Sequence, residues 1–195
     1  RGVVLLERER HFGAHATSQK AAILRTYTEG DATTALAHET AALLVDPPEG
    51  FVDVPLLDPK GLILQLGDSD ESALLRWRDT KPDPSSVRPI GEAELSSTFP
   101  WYSGPTEGAW IVEDEGEIDV AALLEGYLRG ARRAGVELRT EVEVEGFLST
   151  GGAIRGVTLT SGEELMADRV IVCAGGWAGE LAQSAGSRLH FEPRR

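Results

Sequence analysis

Cysteine is nearly absent from this sequence: Cys173 is the only one in 195 residues. One thiol can build neither a disulfide framework nor a cysteine-based zinc site. Cys173 lies inside the apolar run RVIVCAGG and is expected to be a small buried hydrophobe. Positive charge is scarce as well. Nineteen Lys and Arg stand against 32 Asp and Glu, for a formal charge of −13. Nonspecific nucleic-acid binding needs clustered cations to neutralise phosphates, and this balance argues against it. No apolar stretch approaches the roughly 20 residues that cross a bilayer. No charged-then-apolar leader is seen either, so no membrane span and a cytoplasmic location are expected. A nucleophile-elbow motif is missing, which leaves a Ser-His-Asp arrangement without support.

What the sequence does contain is enough apolar material, 41%, for one ordinary core or two small ones. Val3 to Leu6 is a short apolar run closed by an acid, Glu7, and reads as a strand. Thr33 to Val45 repeats apolar residues at helical spacing and ends at Pro47-Pro48. FVDVPLL and GLILQL are strand-like bursts, and Ser69 is placed to cap a short helix over DESALLRWRD. From Lys81 to Pro105, five of the ten prolines predict irregular chain packed by Phe99, Trp101 and Tyr102, with one turn of helix at GEAELSS. VEDEGEID gathers acids without the ligand spacing of a calcium loop, so no metal is expected there.

Beyond Asp119 the pattern sharpens. IDVAALLEGYLRGARRAGV has a capping acid, apolar Leu123, Leu124, Tyr127, Leu128 and Ala131 on one face, late arginines and Gly135 as a stop. It feeds the strand VELRT, as a right-handed crossover onto a parallel sheet would. EVEVEGFLST, AIRGVTLT and EELM, separated by glycine turns, predict an antiparallel meander leading into a buried strand at RVIVC. The order of elements predicts an α/β or mixed α+β fold interrupted by an insertion, with no internal repeat.

Two features could carry chemistry. A strand running into Ala174, Gly175 and Gly176 brings bare backbone to a sheet edge, where a cofactor phosphate or ring could approach; a tight turn needing glycine for its dihedrals explains the motif equally well. Glu7 stands at the carboxyl end of a strand, the place from which a carboxylate takes a vicinal ribose diol in dinucleotide-binding folds, although a surface acid after a strand is commonplace.

In succession, VVLLERE, HATSQKAA, IDVAALLEGYLRGARRAGVEL, EVEVEGF, ADRVIVCAGGWAGELAQSAG and the closing PRR resemble the motifs of the FAD-dependent D-amino-acid oxidase superfamily, nearest to D-amino-acid dehydrogenases and glycine or sarcosine oxidase-like members. The resemblance covers nearly the whole chain and is weakest over the proline-rich insertion. It implies a partial Rossmann-type FAD-binding domain with a β-meander, into which part of a sheet-based substrate domain is inserted. The implied division is 1–46 and 114–189 for the FAD-binding domain, 47–113 for the substrate domain, and 190–195 for the return into it. It also implies that a first strand, a glycine-rich phosphate turn and a helix stand ahead of Val3 in the family's chains. More substrate domain and a last FAD-binding segment would follow Arg195.

By the same resemblance Glu7 would bind the adenosine ribose and Arg8 would lie by the adenine. Ala16, Thr17, Ser18, Gln19, Lys20, Ala21 and Ala22 would wrap the pyrophosphate and flavin, with the family's cationic contact moved to Lys20. Val144 would touch the adenine side through its backbone, and Ala174, Gly175 and Trp177 would line the cofactor. The implied reaction takes a hydride from the carbon bearing an amine to the flavin, leaving an imine that water hydrolyses to an oxo acid. Arg195, or Arg194 beside it, is where the arginine that clamps a substrate carboxylate would fall, unless both are only a charged chain end. Tyr27, or Thr28 one register on, falls where the family places an aromatic near the substrate. Leu62 holds a position that could carry an acid for reading a basic substrate, which favours a neutral or apolar side chain. His38 is expected at the helix surface and His15 at the border of the cofactor loop.

The expected partner is a small amino acid or amine, with self-association through exposed sheet edges as a further expectation. Another class stays open beside the oxidoreductase: a folded or self-associating module that binds no flavin. A flavin monooxygenase or an NAD(P)H-linked disulfide reductase would share the meander and glycines, but the latter needs a cysteine pair.

Overall fold

The computed structural model describes residues 2–19, 22–28, 30–66 and 71–188. In chain order the elements are β1 (Val4–Leu6), α1 (Asp31–Val45), β2 (Leu57–Asp58), β3 (Leu62–Gln65), α2 (Glu71–Arg78), β4 (Val87–Pro89), α3 (Glu92–Thr98) and β5 (Ala109–Val112). They continue with β6 (Glu117–Ile118), α4 (Val120–Arg133), β7 (Glu137–Arg139), β8 (Val144–Thr150), β9 (Ala153–Leu159), β10 (Glu164–Met166) and α5 (Ala178–Ser184). The fold is mixed α/β. It divides into two compact units, the chain crossing between them after Ser18 and after Gly130.

The unit formed by the middle of the chain is built around β5, which pairs antiparallel with β3 on one side and β4 on the other. All four residues of β5, AWIV, are buried. Alternation explains why a continuous apolar run is needed. Trp110 and Val112 join Leu64, Leu74, Trp77 and Val87 on the face covered by α2, while Ala109 and Ile111 join Ile90, Leu95 and Phe99 on the face covered by α3. A third cluster sets Leu24, Leu44 and Leu56 against Phe51, Ala122 and Leu123, which packs α1 and the start of α4. Gly126 is part of that packing: a Cβ there would stand 2.7 Å from the Phe51 ring.

In the other unit β1 pairs parallel with β7, Leu5 opposite Leu138, the arrangement that the helix-to-strand crossover predicts. The helix that leads into β7, α4, starts in the middle unit, where the Asp119 carboxylate caps it by accepting from the Ala122 N–H at 2.8 Å, and it is ended by Gly135 in the left-handed region at φ 77°. The meander forms as β8, β9 and β10. Gly156 within β9 has no room for a side chain, because a Cβ would fall 2.1 Å from the Leu165 carbonyl oxygen.

Several expectations are corrected. RVIVC is not a strand and is not buried: Ile171 is 84% exposed and Cys173 is exposed. A strand exists only where a neighbour offers N–H and C=O groups, and no strand among the described residues pairs with 170–174. The proline-rich segment is more ordered than its composition suggests. Besides α3 it holds β4 and a 3₁₀ turn at Pro84–Ser86, capped by the Asp83 carboxylate on the Ser85 N–H. Phe99 is buried as expected, whereas Trp101 meets it edge-on and stays 76% exposed. Most of FVDVPLL is irregular, only Leu57 entering a strand. His38 is half-buried rather than at the surface, its Nε2 covered. Ser69 lies outside the described residues.

Candidate functional site

The Glu7 carboxylate is placed by the continuation of the β1–β7 ladder. The Glu7 N–H donates to the Arg139 carbonyl at 2.9 Å, and the carbonyls of Glu7 and Glu9 accept from the N–H groups of Val142 and Glu141 at 2.9 Å each. Glu141 adopts φ 58°, which turns the chain from β7 toward β8 while keeping these bonds. One Glu7 carboxylate oxygen accepts from the Glu9 N–H at 2.9 Å, closing a turn directly after the strand. A carboxylate has room for several further donors, so this bond leaves capacity for a diol.

Beside Glu7 lies a layered cluster. The Arg8 guanidinium stands 4.1 Å from the centre of the Trp177 ring, and the His15 ring is 4.7 Å from it at a 52° tilt. Glu9 links both, its Oε1 lying 3.1 Å from Arg8 Nε and 3.0 Å from His15 Nε2. These contacts, His15 first and then Arg8, hold the Glu9 carboxyl below its usual range. Arg8 also lies 3.9 Å from Glu143, next to Val144, which opens β8 opposite Leu159.

Ala16, Thr17 and Ser18 form one 3₁₀ turn after this cluster. The Ser18 hydroxyl is engaged by the backbone, donating to the carbonyls of Ala14 and His15 at 3.0 and 2.7 Å. Ala174 caps a second 3₁₀ turn, Gly175–Trp177, and accepts from the Trp177 N–H at 3.0 Å. Gly175 has φ 51°, and the space a Cβ would take is open. Its backbone is therefore approachable, as a cofactor site would need and as the turn alone would also require.

An open glycine backbone, a strand-end carboxylate with free lone pairs, and a cation layered on an indole form a set that suits a nucleoside: acceptors for a diol and planar groups beside a base. Thus Glu7, Arg8, Ala16 to Ser18, Val144, Ala174, Gly175 and Trp177 share one unit. Gln19, Ala22 and Tyr27 belong to the other, and Lys20, Ala21, Arg194 and Arg195 lie outside the described residues.

Within the middle unit Tyr27 is half-buried, its ring 5.1 Å from that of Trp77. Its carbonyl accepts from Arg25 Nε at 3.0 Å. Thr28 is bound instead to Thr34, hydroxyl to hydroxyl at 3.0 Å. Leu62 pairs with Val112 in β3 and packs on the core. Sequence reasoning missed the ionic cluster next to Tyr27. Glu115 is 1% exposed, Lys81 is 8% exposed, and Lys81 Nζ lies 3.0 Å from Asp114 Oδ1 and 3.7 Å from Glu115 Oε1. Neither the acidic run VEDEGEID nor the proline-flanked Lys81 carries a local signal of burial.

A family model described as FAD dependent oxidoreductase, DAO, matches residues 1–195. The chain belongs to that family. Among DAO relatives, a glycine oxidase of Pseudomonas aeruginosa is 29% identical over 168 residues, covering 83% of this chain and 45% of its own. A glycine oxidase of Bacillus licheniformis is 31% identical over 142 residues, covering 73% of this chain and 37% of its own. The fold agrees with that of the L-amino acid deaminase from Proteus myxofaciens, with a TM-score of 0.76 at 23% identity over 96% of this chain and 43% of that one. The glycine oxidase from Geobacillus kaustophilus gives 0.73 at 22% identity over 94% and 51%. The chain thus spans about half the length of the relatives it matches.

Proposed function

We propose that this chain supplies part of the FAD site, and part of the substrate side, of an oxidoreductase that oxidises the C–N bond of an amino acid or secondary amine. The observation that carries this reading is the family match over residues 1–195, joined by the grouping of Glu7, Arg8, Gly175 and Trp177 in one unit. In this reading residues 1–46 and 114–189 form a partial Rossmann-type domain with its meander, and residues 47–113 are the inserted substrate-side piece.

FAD, when bound, supplies the acceptor for the hydride leaving the carbon that bears the amine, so that an imine and then an oxo acid result. The chain's own residues bind and orient. Glu7 takes the ribose diol through its remaining lone pairs, Arg8 lies beside the adenine, and the Val144 and Gly175 backbones let the cofactor approach. Thr17, Ser18, Gln19, Lys20, Ala21 and Ala22 continue the cofactor loop, Ala174 and Trp177 line its edge, Tyr27 borders the substrate, and Arg195 or Arg194 holds the substrate carboxylate. FAD titrated into the protein should quench flavin fluorescence saturably, and Glu7→Ala should weaken binding by about 10- to 150-fold, since a charge-assisted hydrogen bond contributes roughly 1.5–3 kcal/mol. A folded protein that takes up no FAD would contradict the reading for this chain.

A second reading, a self-associating module without flavin, is favoured by one observation. Val4 and Leu5 are 42% and 39% exposed on a strand that pairs on one side only among the described residues, and Val3 just ahead of it is 62% exposed. Sedimentation separates the two: a dimer that dissociates when Val4→Lys is introduced, and stays colourless with FAD, supports the module.

A further inference from the structure

The carboxylate of Glu115 has no part in the cofactor reading, yet Glu115 is the only buried acid among the described residues, 1% exposed. Its mount is rigid. The Glu115 carbonyl accepts from the Gly61 N–H at 2.9 Å, and the next residue, Gly116, sits so close to the chain that a Cβ would fall 2.1 Å from the Asp58 carbonyl oxygen. On the other side the Gly116 carbonyl accepts from the Leu24 N–H at 2.8 Å, which lays residues 22–26 beside residues 115–118.

From this mount Glu115 Oε1 accepts two hydrogen bonds from a single residue, the Thr26 N–H at 2.9 Å and the Thr26 hydroxyl at 2.5 Å. Thr26 is 2% exposed, and its carbonyl accepts from the Trp77 indole N–H at 3.0 Å. Every polar group of Thr26 is therefore held, and the residue it presents next is Tyr27. The Tyr27 ring then lies on Trp77, the indole that anchors Thr26. Lys81 closes the group, 3.7 Å from Glu115 Oε1 and 5.2 Å from the Trp77 ring. Glu115 Oε2 is buried and has no hydrogen-bond partner among the described residues.

We propose that Glu115 is a positioning residue that acts through Thr26 to fix the direction of the Tyr27 ring. The inference rests on the reading of Tyr27 as the aromatic bordering the substrate, and it extends that reading to what aims the ring. Packing on Trp77 limits how far the ring can move, but the backbone that carries it is set by the Glu115–Thr26 bonds.

The test uses the full chain labelled with 3-fluorotyrosine, with Tyr102→Phe and Tyr127→Phe so that Tyr27 is the only reporter among the three tyrosines. Glu115→Leu should move or broaden the Tyr27 ¹⁹F resonance, whereas Glu115→Gln, which keeps the acceptor oxygen, should leave it near its original position. Thr26→Val, which is isosteric and keeps only the backbone bond, should also move it, and Thr26→Ser should restore it. If Glu115→Leu does not fold, the two threonine variants decide. Folded Glu115→Leu or Thr26→Val protein with the Tyr27 resonance unmoved would overturn the proposal, even if thermal stability falls. The substrate role of Tyr27 is read separately, by adding FAD with glycine or D-alanine to the labelled protein. A resonance that ignores these ligands yet follows the Thr26 series refutes the substrate reading and supports the positioning.

Discussion

At the scale of single residues, the ion pairs differ sharply in what they contribute. Arg88 with Glu94 and Glu113, and Arg139 with Glu163, are short but exposed pairs, whose usual contribution is small. Lys81 is different, because its side chain is 4% exposed and Glu115 stands beside it. Removing one partner of a buried pair leaves a charge uncompensated, whereas replacing both with apolar groups is often neutral. Lys81→Met should therefore cost about 3 kcal/mol in urea unfolding, and Lys81→Met with Glu115→Gln, which removes the second charge but keeps the oxygen that accepts from Thr26, should recover much of it. Equal losses in the single and double variants would refute the coupling.

Glu9 offers a second test at the same scale. Its folded carboxyl titrates below the usual glutamate range through its bonds to His15 and Arg8. A carboxyl with a depressed folded pKa stabilises the fold above its unfolded pKa and loses that contribution as pH falls through the folded value. His15→Ala should raise the Glu9 titration toward the normal range in carboxyl NMR and relieve the ring contact on Trp177, altering its fluorescence. An unchanged titration would show that His15 does not hold Glu9.

At the scale of elements, β5 and the turn after it organise the middle unit. β5 is covered on both faces, and the turn at Gly116 is clamped between the Asp58 carbonyl and the 22–24 segment. Gly116→Ala must displace backbone, so a loss of about 1–3 kcal/mol is expected from overpacking, read as a lower melting temperature. No change would mean that the clamp is loose.

The same elements separate what the sequence made legible from what it did not. α4 carried its cap, its stripe and its stop within 17 residues, 119–135, and the meander carried its glycine turns, so both were readable from local pattern. β5 was not anticipated: AWIV is a four-residue apolar run whose strand character comes from partners in β3 and β4, distant in sequence. RVIVC failed in the opposite sense, having strand composition but no pairing partner among the described residues. At the site, Glu7, Arg8 and Trp177 were named through motif order, while the Glu9–His15 link and the Lys81–Glu115 burial arise from tertiary contacts that leave no local trace.

At the scale of the whole molecule, burial is uneven. Among the described residues the strongly buried apolar side chains of the unit containing β1 and β8 to β10 are Val157 and Leu159, and the others belong to the middle unit. Local stability follows buried apolar contact, so amides of β5 should exchange far more slowly than those of β1 and β7. FAD should slow exchange in β1 and β7 while leaving β5 little changed, because a ligand stabilises the part that holds it. Equal protection in both units would count against this division. The most direct measurement remains equilibrium titration of FAD into the purified chain, followed by flavin fluorescence, in wild type and Glu7→Ala. We predict saturable binding that weakens about 10- to 150-fold on losing the carboxylate, from the roughly 1.5–3 kcal/mol of a charge-assisted hydrogen bond. A folded wild-type chain that leaves flavin fluorescence unchanged, or a Glu7→Ala chain that binds FAD as tightly as wild type, would contradict it.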